Sequence, residues 1–563
     1  METLTSSKEQ SWLPWFLRGL LLLGLIILVG RLVELQVIKG SYYRNLAEGN
    51  RIRRVPITAA RGNIIARGGE VLVGNREVKK RVVFNPESGY EKVDDLTGAS
   101  KEEIITEWIR DYLLGSQLGH VSGYLGEVNQ DEVGKIDPAC IEKGPKTLNS
   151  LVGRTGLEER YNCTLSGVDG EELVEVDTTG KRVRTLGRRE PVRGEDIKTS
   201  IDYGLQRKVA EAMGDQKGAV IITDTKGEVL ALYSSPSYNP NLFVREGNSK
   251  EIEKILSSED LPLFNRVMGG LYHPGSVYKP IVAIAALEEG KIDEGYTYID
   301  KGLIEIKTAY GDFEYTNWYY NQYGKTEGEI GIVKALGRST DTFFYKVGEM
   351  LGIDNLVSWS SKFGLDRKND IDLPGEIAGL IPTPEWKERF KGERWFLGNT
   401  YHMSIGQGDI ALTPLAVNTA ITSIASNGQY CTPTIAGETK CTDIKINSEN
   451  IDLVKMGMVA ACSSGGTAFP FFDFKPEEQD NDNRVACKTG TAETNEEDKT
   501  HAWLSVFAPV DFPEIIITVM IEKGGEGSYI AAPVAREIFD YWFKVENPYK
   551  NPNIRNEQEK ENI

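Results

Sequence analysis

Apolar positions along the chain fall into distinct textures. The first is a nearly continuous run from Trp12 to Ile38, whose core, Gly19 to Gly30, reads GLLLLGLIILVG. A core that short suits a signal-peptide segment as well as a membrane span. Three features favour an uncleaved anchor over 12–38. No A-x-A-like cleavage site follows the core. Apolar residues persist past Arg31 as Leu32, Val33, Leu35, Val37 and Ile38. Trp12 and Trp15 on one side, with Tyr42 and Tyr43 on the other, have the character of interfacial aromatic belts. The flanking charges run the other way: Lys8 and Arg18 precede the core, whereas Arg31, Lys39, Arg44 and Arg51 follow it. Long domains translocate largely regardless of such flanks, so the rest of the chain must decide the topology.

A polar, Gly-rich stretch follows to about residue 195. It has short β-like runs at Arg53–Ile57, Glu70–Val73 and Glu171–Val176, and its pattern predicts a helix over Lys101–Leu114. This reads as an extended α+β module. From Asp196 the texture changes. Residues 219–223 and 228–233 are apolar runs separated by DTKG, a hairpin signal. Residues 280–289 read as a buried helix, 515–521 as a fully buried strand and 533–544 as a closing helix. Together they imply an α+β sandwich. The tail from Asn547 is rich in Asn, Lys and Glu and is expected to be disordered.

Composition narrows the function classes. The chain has 563 residues, 40% hydrophobic and 26% charged, which excludes a wholly disordered or polytopic membrane protein. Its mean hydropathy is −0.33, so any span is a small part of it. A net charge of −18 argues against nucleic acid as a partner. Only four histidines (His120, His273, His402 and His501) leave little for a His-rich metal site. The six cysteines (Cys140, Cys163, Cys431, Cys441, Cys462 and Cys487) form no C-x-x-C pair, and the expectation is buried free thiols.

Three short motifs carry candidate chemistry. Ser276-Val277-Tyr278-Lys279 follows Pro274-Gly275 and precedes the buried helix, which places Ser276 at or near a helix N-terminus. The helix dipole there favours an alkoxide, and Lys279 lies one turn on. A lysine desolvated beside other cations can be neutral and take a serine proton. Alone, Ser-x-x-Lys also describes an exposed helix face. Ser339-Thr340-Asp341 offers a second hydroxyl and a polar side chain for a proton relay, and is equally a good helix cap. Lys488-Thr489-Gly490-Thr491 follows a strand expected over 484–487. It offers a cation and a hydroxyl to a carboxylate, with Gly490 leaving room for a substrate backbone. A given tripeptide arises by chance roughly one time in fifteen in such a chain. The weight lies in the ordered set, which is that of penicillin-binding proteins and serine β-lactamases.

The sequence resembles a class B penicillin-binding protein, a monofunctional peptidoglycan D,D-transpeptidase, over nearly its whole length. HPGSVYKP (273–280), GAVIITDTKGEVLALYSSPSYNPNLF (218–243), SIGQGDIALTPL (404–415), SSGGTA (463–468) and AWLSVFAP (502–509) resemble blocks of its catalytic domain. RGNIIARGGEVL (61–72) and RTGLEERYNCTLSGVDG (154–170) resemble its pedestal module. The resemblance implies a cytoplasmic tail (1–11), a transmembrane anchor (12–38), a dimerisation-like pedestal (39–195), a transpeptidase domain of antiparallel sheet flanked by helices (196–546) and a disordered tail (547–563). It places the catalytic domain outside the bacterial cytoplasmic membrane.

The resemblance also implies roles. Ser276 is the nucleophile toward a stem peptide ending D-Ala-D-Ala, and Lys279 is its base. Ser339 relays protons and Asp341 orients Lys279 or the substrate amide. Lys488, Thr489, Gly490 and Thr491 bind substrate, with the backbone N–H groups of Ser276 and Thr491 as the oxyanion hole. β-Lactams are expected ligands, and a SEDS-family glycosyltransferase and elongation-complex proteins are expected partners. No cofactor is implied. Most of the class has Asn where this chain has Asp341; the elongation-type branch often has Asp, and GNTYHMSIGQGD and AWLSVFAP resemble that branch. Some members hold zinc between the first two motifs through Asp, His and Cys. No His or Cys lies between Ser276 and Ser339 here, so no such zinc is expected. A β-lactamase or D,D-carboxypeptidase and a non-enzymatic scaffold are the alternatives. The large pedestal counts against a β-lactamase, and the intact Ser276, Lys279 and Lys488 count against a scaffold. His273, His402, His501 and Gln407 are expected to be structural, and Trp318, Tyr319 and Tyr320 either line a groove or pack.

Overall fold

Strand periodicity and helix periodicity sort this chain into its layers. The computed structural model describes residues 12–85, 89–99, 104–148, 150–177, 182–245, 247–308, 311–474, 484–494 and 496–544. The expected tails, 1–11 and 547–563, lie outside the described residues. The polypeptide divides into two compact units interleaved in sequence: residues 1–60, 77–108 and 167–193 form one, and 61–76, 109–166 and 194–563 form the other.

In the first unit the apolar run is a helix, Leu13–Val33, continued by a π-helical turn, Glu34–Ile38. Over Leu13–Ile38 it is long and apolar enough to cross a membrane. A second helix, Gly40–Arg51, leads into strand Ile52–Ile57. That strand pairs antiparallel with Gly170–Val176, which pairs with Arg182–Arg189. Carboxylates on the middle strand meet arginines across it: Glu172 pairs with Arg182 at 2.6 Å, and Glu175 pairs with Arg184 at 2.6 Å and with Arg51. The helix expected over Lys101–Leu114 is corrected by its described residues, 104–114; residues 101–103 lie outside them. Ile104–Tyr112 is a strand pairing with Val71–Asn85. Its β-branched and aromatic content (Ile104, Ile105, Thr106, Trp108, Ile109 and Tyr112) favours a pleated surface, and its even-numbered positions pass from exposed at Thr106 and Trp108 to buried at Arg110 and Tyr112.

The second unit is built on a five-stranded antiparallel sheet. Its strands are β1 (Gly218–Thr223), β2 (Val229–Ser235), β3 (Ala486–Glu493), β4 (Thr500–Ala508) and β5 (Ile515–Ile521), in the order β2-β1-β5-β4-β3. Successive side chains serve opposite faces. Ala219, Ile221, Trp503, Phe507, Ile516 and Met520 enter one core. Val220, Ile222, Leu504, Val506, Ile517 and Val519 enter another. This explains why the strands read as continuous apolar runs: both faces are covered. The first core also contains helix α1 (Lys279–Glu288), whose residues from Lys279 to Leu287 are all buried. Helices α2 (Asp341–Lys362), α3 (Leu397–Ser404), α4 (Pro414–Ala425) and α5 (Ser448–Cys462) contribute to it as well. Helix α6 (Ala531–Lys544) seals the opposite face with Tyr203–Met213. The same unit buries Glu158 completely between Arg61 (2.7 Å) and Arg110 (2.6 Å).

The cysteines correct the expectation of free thiols. They form three disulfides, Cys140–Cys163, Cys431–Cys441 and Cys462–Cys487. Cys431 and Cys441 face each other across a short hairpin. The other two pairs join segments that sequence spacing does not relate.

Candidate active site

Ser276 lies in a 3₁₀ turn, Gly275–Tyr278, that runs directly into α1. The entry is tight. Gly275 has φ +56, its N–H donates to Gly406 O at 2.9 Å, and a Cβ there would lie 2.8 Å from Thr491 O. Only glycine tolerates both the backbone angle and that approach. The turn therefore rests against β3, which carries the third motif. Gly490 takes part in the same packing. A Cβ on it would meet Trp503 Cβ at 3.0 Å and Pro274 O and Val277 Cγ1 at 3.1 Å, so its missing side chain admits the protein's own serine turn. The motif Lys488–Thr491 lies inside the strand and does not follow it.

Lys279 is fully buried, and its Nζ donates to three acceptors: Asp341 Oδ1 at 2.6 Å, Ser339 O at 2.8 Å and Ser339 Oγ at 3.2 Å. It also lies 5.3 Å from the centre of the Phe344 ring. Ser339 can turn both its carbonyl and its hydroxyl to one ammonium because it adopts φ +55, a strained angle for a residue with a Cβ. Asp341 opens α2, where a negative charge suits the helix dipole. Its N–H donates to Asn317 Oδ1 at 3.3 Å, and its Oδ2 accepts from Trp318 N–H at 3.4 Å.

Lys488 is fully buried too. Its Nζ lies 2.8 Å from Ser339 Oγ and 3.0 Å from Thr489 O. Thr489 Oγ1 lies 2.8 Å from Thr467 Oγ1, in the SSGGTA segment. Thr491 is exposed. Its Oγ1 accepts from Gly527 N–H at 3.4 Å, and its carbonyl accepts from Gln407 Nε2 at 3.4 Å. Burial lowers the Lys279 pKa, an effect the adjacent Asp341 carboxylate opposes. Burial pushes Lys488 well below the ordinary lysine value, and the positive charge of Lys279 adds to that shift.

The eight candidate residues thus lie on the 3₁₀ turn and the first residue of α1, on Ser339 just before α2 and Asp341 at its start, and on β3. Thr467 and Asn317 touch this set without having been singled out; Trp318, expected either to line a groove or to pack, touches it as well. SSGGTA was legible as a block, but nothing in it marked the threonine as a contact of Thr489. Trp318 packs at the edge of the site, its Nε1–H donating to Arg338 O at 2.9 Å, with the Arg338 guanidinium 5.1 Å from its ring. The histidines take other work: His273 Nδ1 bonds Ile410 O at 2.6 Å, His402 packs edge-on against Tyr315, and His501 Nδ1 accepts from Lys523 N–H. Cys487 points away from Lys488 into the second core, but as half of a disulfide. Among the described residues, one group has metal-ligand spacing, Asp137 with Cys140 and Cys163, and its two sulfurs are bonded to each other.

The family described as penicillin binding protein transpeptidase domain matches residues 218–540, and the penicillin-binding protein dimerisation domain matches residues 89–199. A peptidoglycan D,D-transpeptidase MrdA of Acinetobacter baumannii is 32% identical, over 96% of this chain and 89% of that protein. PBP2 of Helicobacter pylori, solved in complex with MreC, aligns at TM-score 0.74 and 25% identity, over 88% of this chain and 99% of the other. A chain from a peptidoglycan synthase complex, solved for its coordination of polymerization and crosslinking, aligns at TM-score 0.73 and 26% identity, over 94% and 98% of the two chains. The chain belongs to the penicillin-binding protein transpeptidases, in the elongation-type class B branch that includes the MrdA proteins.

Proposed function

We propose that this protein cross-links peptidoglycan stem peptides during side-wall synthesis, with Ser276 as the acyl-carrying nucleophile. One observation carries the reading: a hydrogen-bonded chain, Asp341–Lys279–Ser339–Lys488, buried one helical turn from Ser276. An ammonium has three N–H bonds, and Lys279 has three acceptors, so in this arrangement it is charged and has no lone pair to offer. Lys488 meets two acceptors, Ser339 Oγ and Thr489 O, and among the described residues no carboxylate, and burial lowers its pKa, so it is the neutral partner. Ser339 Oγ bridges them. As Lys279 gives a proton to that oxygen, the Ser339 hydroxyl proton passes to Lys488. Lys279 is then neutral and Lys488 positive.

Neutral Lys279 takes the Ser276 proton as Oγ bonds to the carbonyl carbon of the penultimate D-Ala. The oxyanion faces the backbone N–H groups of Ser276 and Thr491, which stabilise it by several kcal/mol. The C–N bond breaks, and the departing D-Ala amine takes a proton delivered through Lys279 and Ser339. A neighbouring stem-peptide amine then attacks the ester carbonyl and gives its proton to Lys279, which passes it to Ser276 Oγ as the ester C–O bond breaks. The charged Lys488 and the Thr489 hydroxyl hold the terminal carboxylate of the substrate, and of a β-lactam.

The reading places the pedestal over 39–195 and the catalytic domain over 196–546, held by 12–38 in the cytoplasmic membrane with the catalytic side outside. Three disulfides support an oxidising compartment. The PBP2 relative solved with MreC supports elongation-complex partners, and the synthase-complex relative supports a polymerising partner, which the family resemblance makes a SEDS-family glycosyltransferase. The test is a labelled penicillin followed by peptide mapping, then a stem-peptide substrate. A stable adduct on Ser276 and cross-linked product are expected. Rapid drug turnover would mean a β-lactamase, and D-Ala release without cross-links a carboxypeptidase.

A further inference from the structure

Asp300 is a buried carboxylate that the mechanism above does not use. It ends the short strand Tyr298–Asp300, which pairs antiparallel with Gly328–Ile330, and is 2% exposed. Among the described residues no cation pairs with it; four hydrogen-bond donors surround it instead. Oδ1 accepts from Gly302 N–H at 2.9 Å and from the Thr342 hydroxyl at 2.7 Å. Oδ2 accepts from Glu327 N–H at 2.8 Å and from Asn317 Nδ2–H at 3.4 Å. A carboxylate has about four lone-pair sites, and here each has a donor.

Two of these donors lead to the active site. Asn317, held at its Nδ2 by Asp300, accepts the Asp341 N–H at its Oδ1. Thr342, held at its hydroxyl by Asp300, is the residue after Asp341 in the first turn of α2. We infer that Asp300 is a positioning residue for acylation, seating Asp341 through Asn317 and Thr342 so that Asp341 meets Lys279 at 2.6 Å. The inference rests on the proposed role of Lys279. It requires an acid rather than an amide at 300. An asparagine turned either way points its NH₂ at a backbone N–H, that of Gly302 or that of Glu327, and neither can reverse.

The experiment uses the full chain with Asp300→Asn and Thr342→Val, and measures labelled-penicillin acylation rate against pH beside a thermal melt. Lys279 is faced by Asp341 and Ser339 from the start of α2, by the Phe344 ring, and by Lys488 from β3. Displacing Asp341 therefore moves the pH midpoint of acylation downward. The expected result is a limiting rate lower by about 10- to 100-fold in Asp300→Asn, with its midpoint shifted in the same direction as in Asp341→Asn. Thr342→Val, which removes one of the four bonds, shows a smaller change of the same kind. Adding Asp341→Asn to Asp300→Asn costs little more, because both act at one place. A lowered melting temperature with unchanged rate and midpoint in the folded fraction would leave Asp300 merely structural and overturn the inference, as would full additivity. If Asp300→Asn does not fold, Thr342→Val decides by the same two readouts. A wild-type chain that takes no label overturns the function proposal and this inference with it, whereas a labelled wild type beside unaltered variants overturns this inference alone.

Discussion

Lys279 and Lys488 converge on a single oxygen: their Nζ atoms lie 3.2 and 2.8 Å from Ser339 Oγ, both fully buried, with Asp341, among the described residues, the one carboxylate bonded to either. Two ammonium groups so placed would repel each other across a single hydroxyl, with one countercharge between them. The arrangement therefore favours one proton fewer than two free lysines would carry, and makes Ser339 the route by which that deficit moves.

That deficit has a pH signature. Acylation requires the lysine pair to hold one proton rather than two, because Lys279 becomes neutral by passing its proton through Ser339 to Lys488; the rate therefore rises as the pH passes the range in which the pair gives up its second proton, which burial holds below the ordinary lysine range. The Asp341 carboxylate works against that lowering. In Asp341→Asn the pKa falls further, the rise moves to lower pH, and the maximum rate drops because Lys279 loses its 2.6 Å anchor. Acylation rates measured across a pH series check both changes. An unmoved profile would remove Asp341 from the mechanism.

Ser276→Ala is expected to take no covalent label at any dose. Lys279→Ala is expected to bind the drug but acylate about 10²- to 10⁴-fold more slowly, the usual worth of a positioned base. Intact-mass measurement of the adduct over time separates the two variants.

Lys488→Ala should weaken capture of a carboxylate-bearing ligand by about 1.5–3 kcal/mol, roughly 10- to 150-fold, the worth of a charged hydrogen bond. The telling comparison is a penicillin against its methyl ester. Wild type should prefer the free acid strongly and Lys488→Ala should not; a preserved preference would place carboxylate recognition elsewhere.

Glu158 gives a stability prediction away from the chemistry. Burial pushes its carboxyl up, but Arg61 and Arg110 outweigh burial and hold it below the ordinary value. A depressed carboxyl contributes stability that is present at neutral pH and lost as the pH falls through its folded pKa. Glu158→Gln leaves two guanidiniums without a countercharge and should destabilise by about 3–5 kcal/mol. Urea unfolding at neutral and acid pH should show a lower midpoint in the variant and a weaker acid dependence than in wild type.

The Cys462–Cys487 bridge closes a loop of 25 residues onto β3 immediately before Lys488. Its removal, by reductant or by alanine at both positions, should cost about 3 kcal/mol of stability. Calorimetry with and without reductant measures it, and an unchanged melting temperature would argue against the bridge.

Much of this was legible in the chain. Ser276, Lys279, Ser339 and Lys488 announce themselves because each sits in a short motif whose order carries the information. Lys101–Leu114 misled because its charges and leucines fit a helix, whereas Ile104, Ile105, Thr106, Trp108 and Ile109 were better served by the neighbouring strand Val71–Asn85. The cysteines misled because pairing depends on which segments meet. Gly490 was legible as a place needing room, but the occupant of that room, Val277 and the Pro274 carbonyl, lies some 200 residues away in sequence.

Local chemistry and pattern were determined by the amino-acid order alone: the apolar run of Leu13–Ile38, the continuous apolar strands of the central sheet, and the residue types of the three motifs. They depend on residues close together in sequence. Only the tertiary structure decided that two lysines share one hydroxyl, that Asp341 holds Lys279, and that Asp300, through Asn317 and Thr342, reaches Asp341. Those relationships join segments tens to hundreds of residues apart. They arise because burying both faces of the sheet brings α1, α2 and β3 to one place, where each desolvated polar group must find its partner.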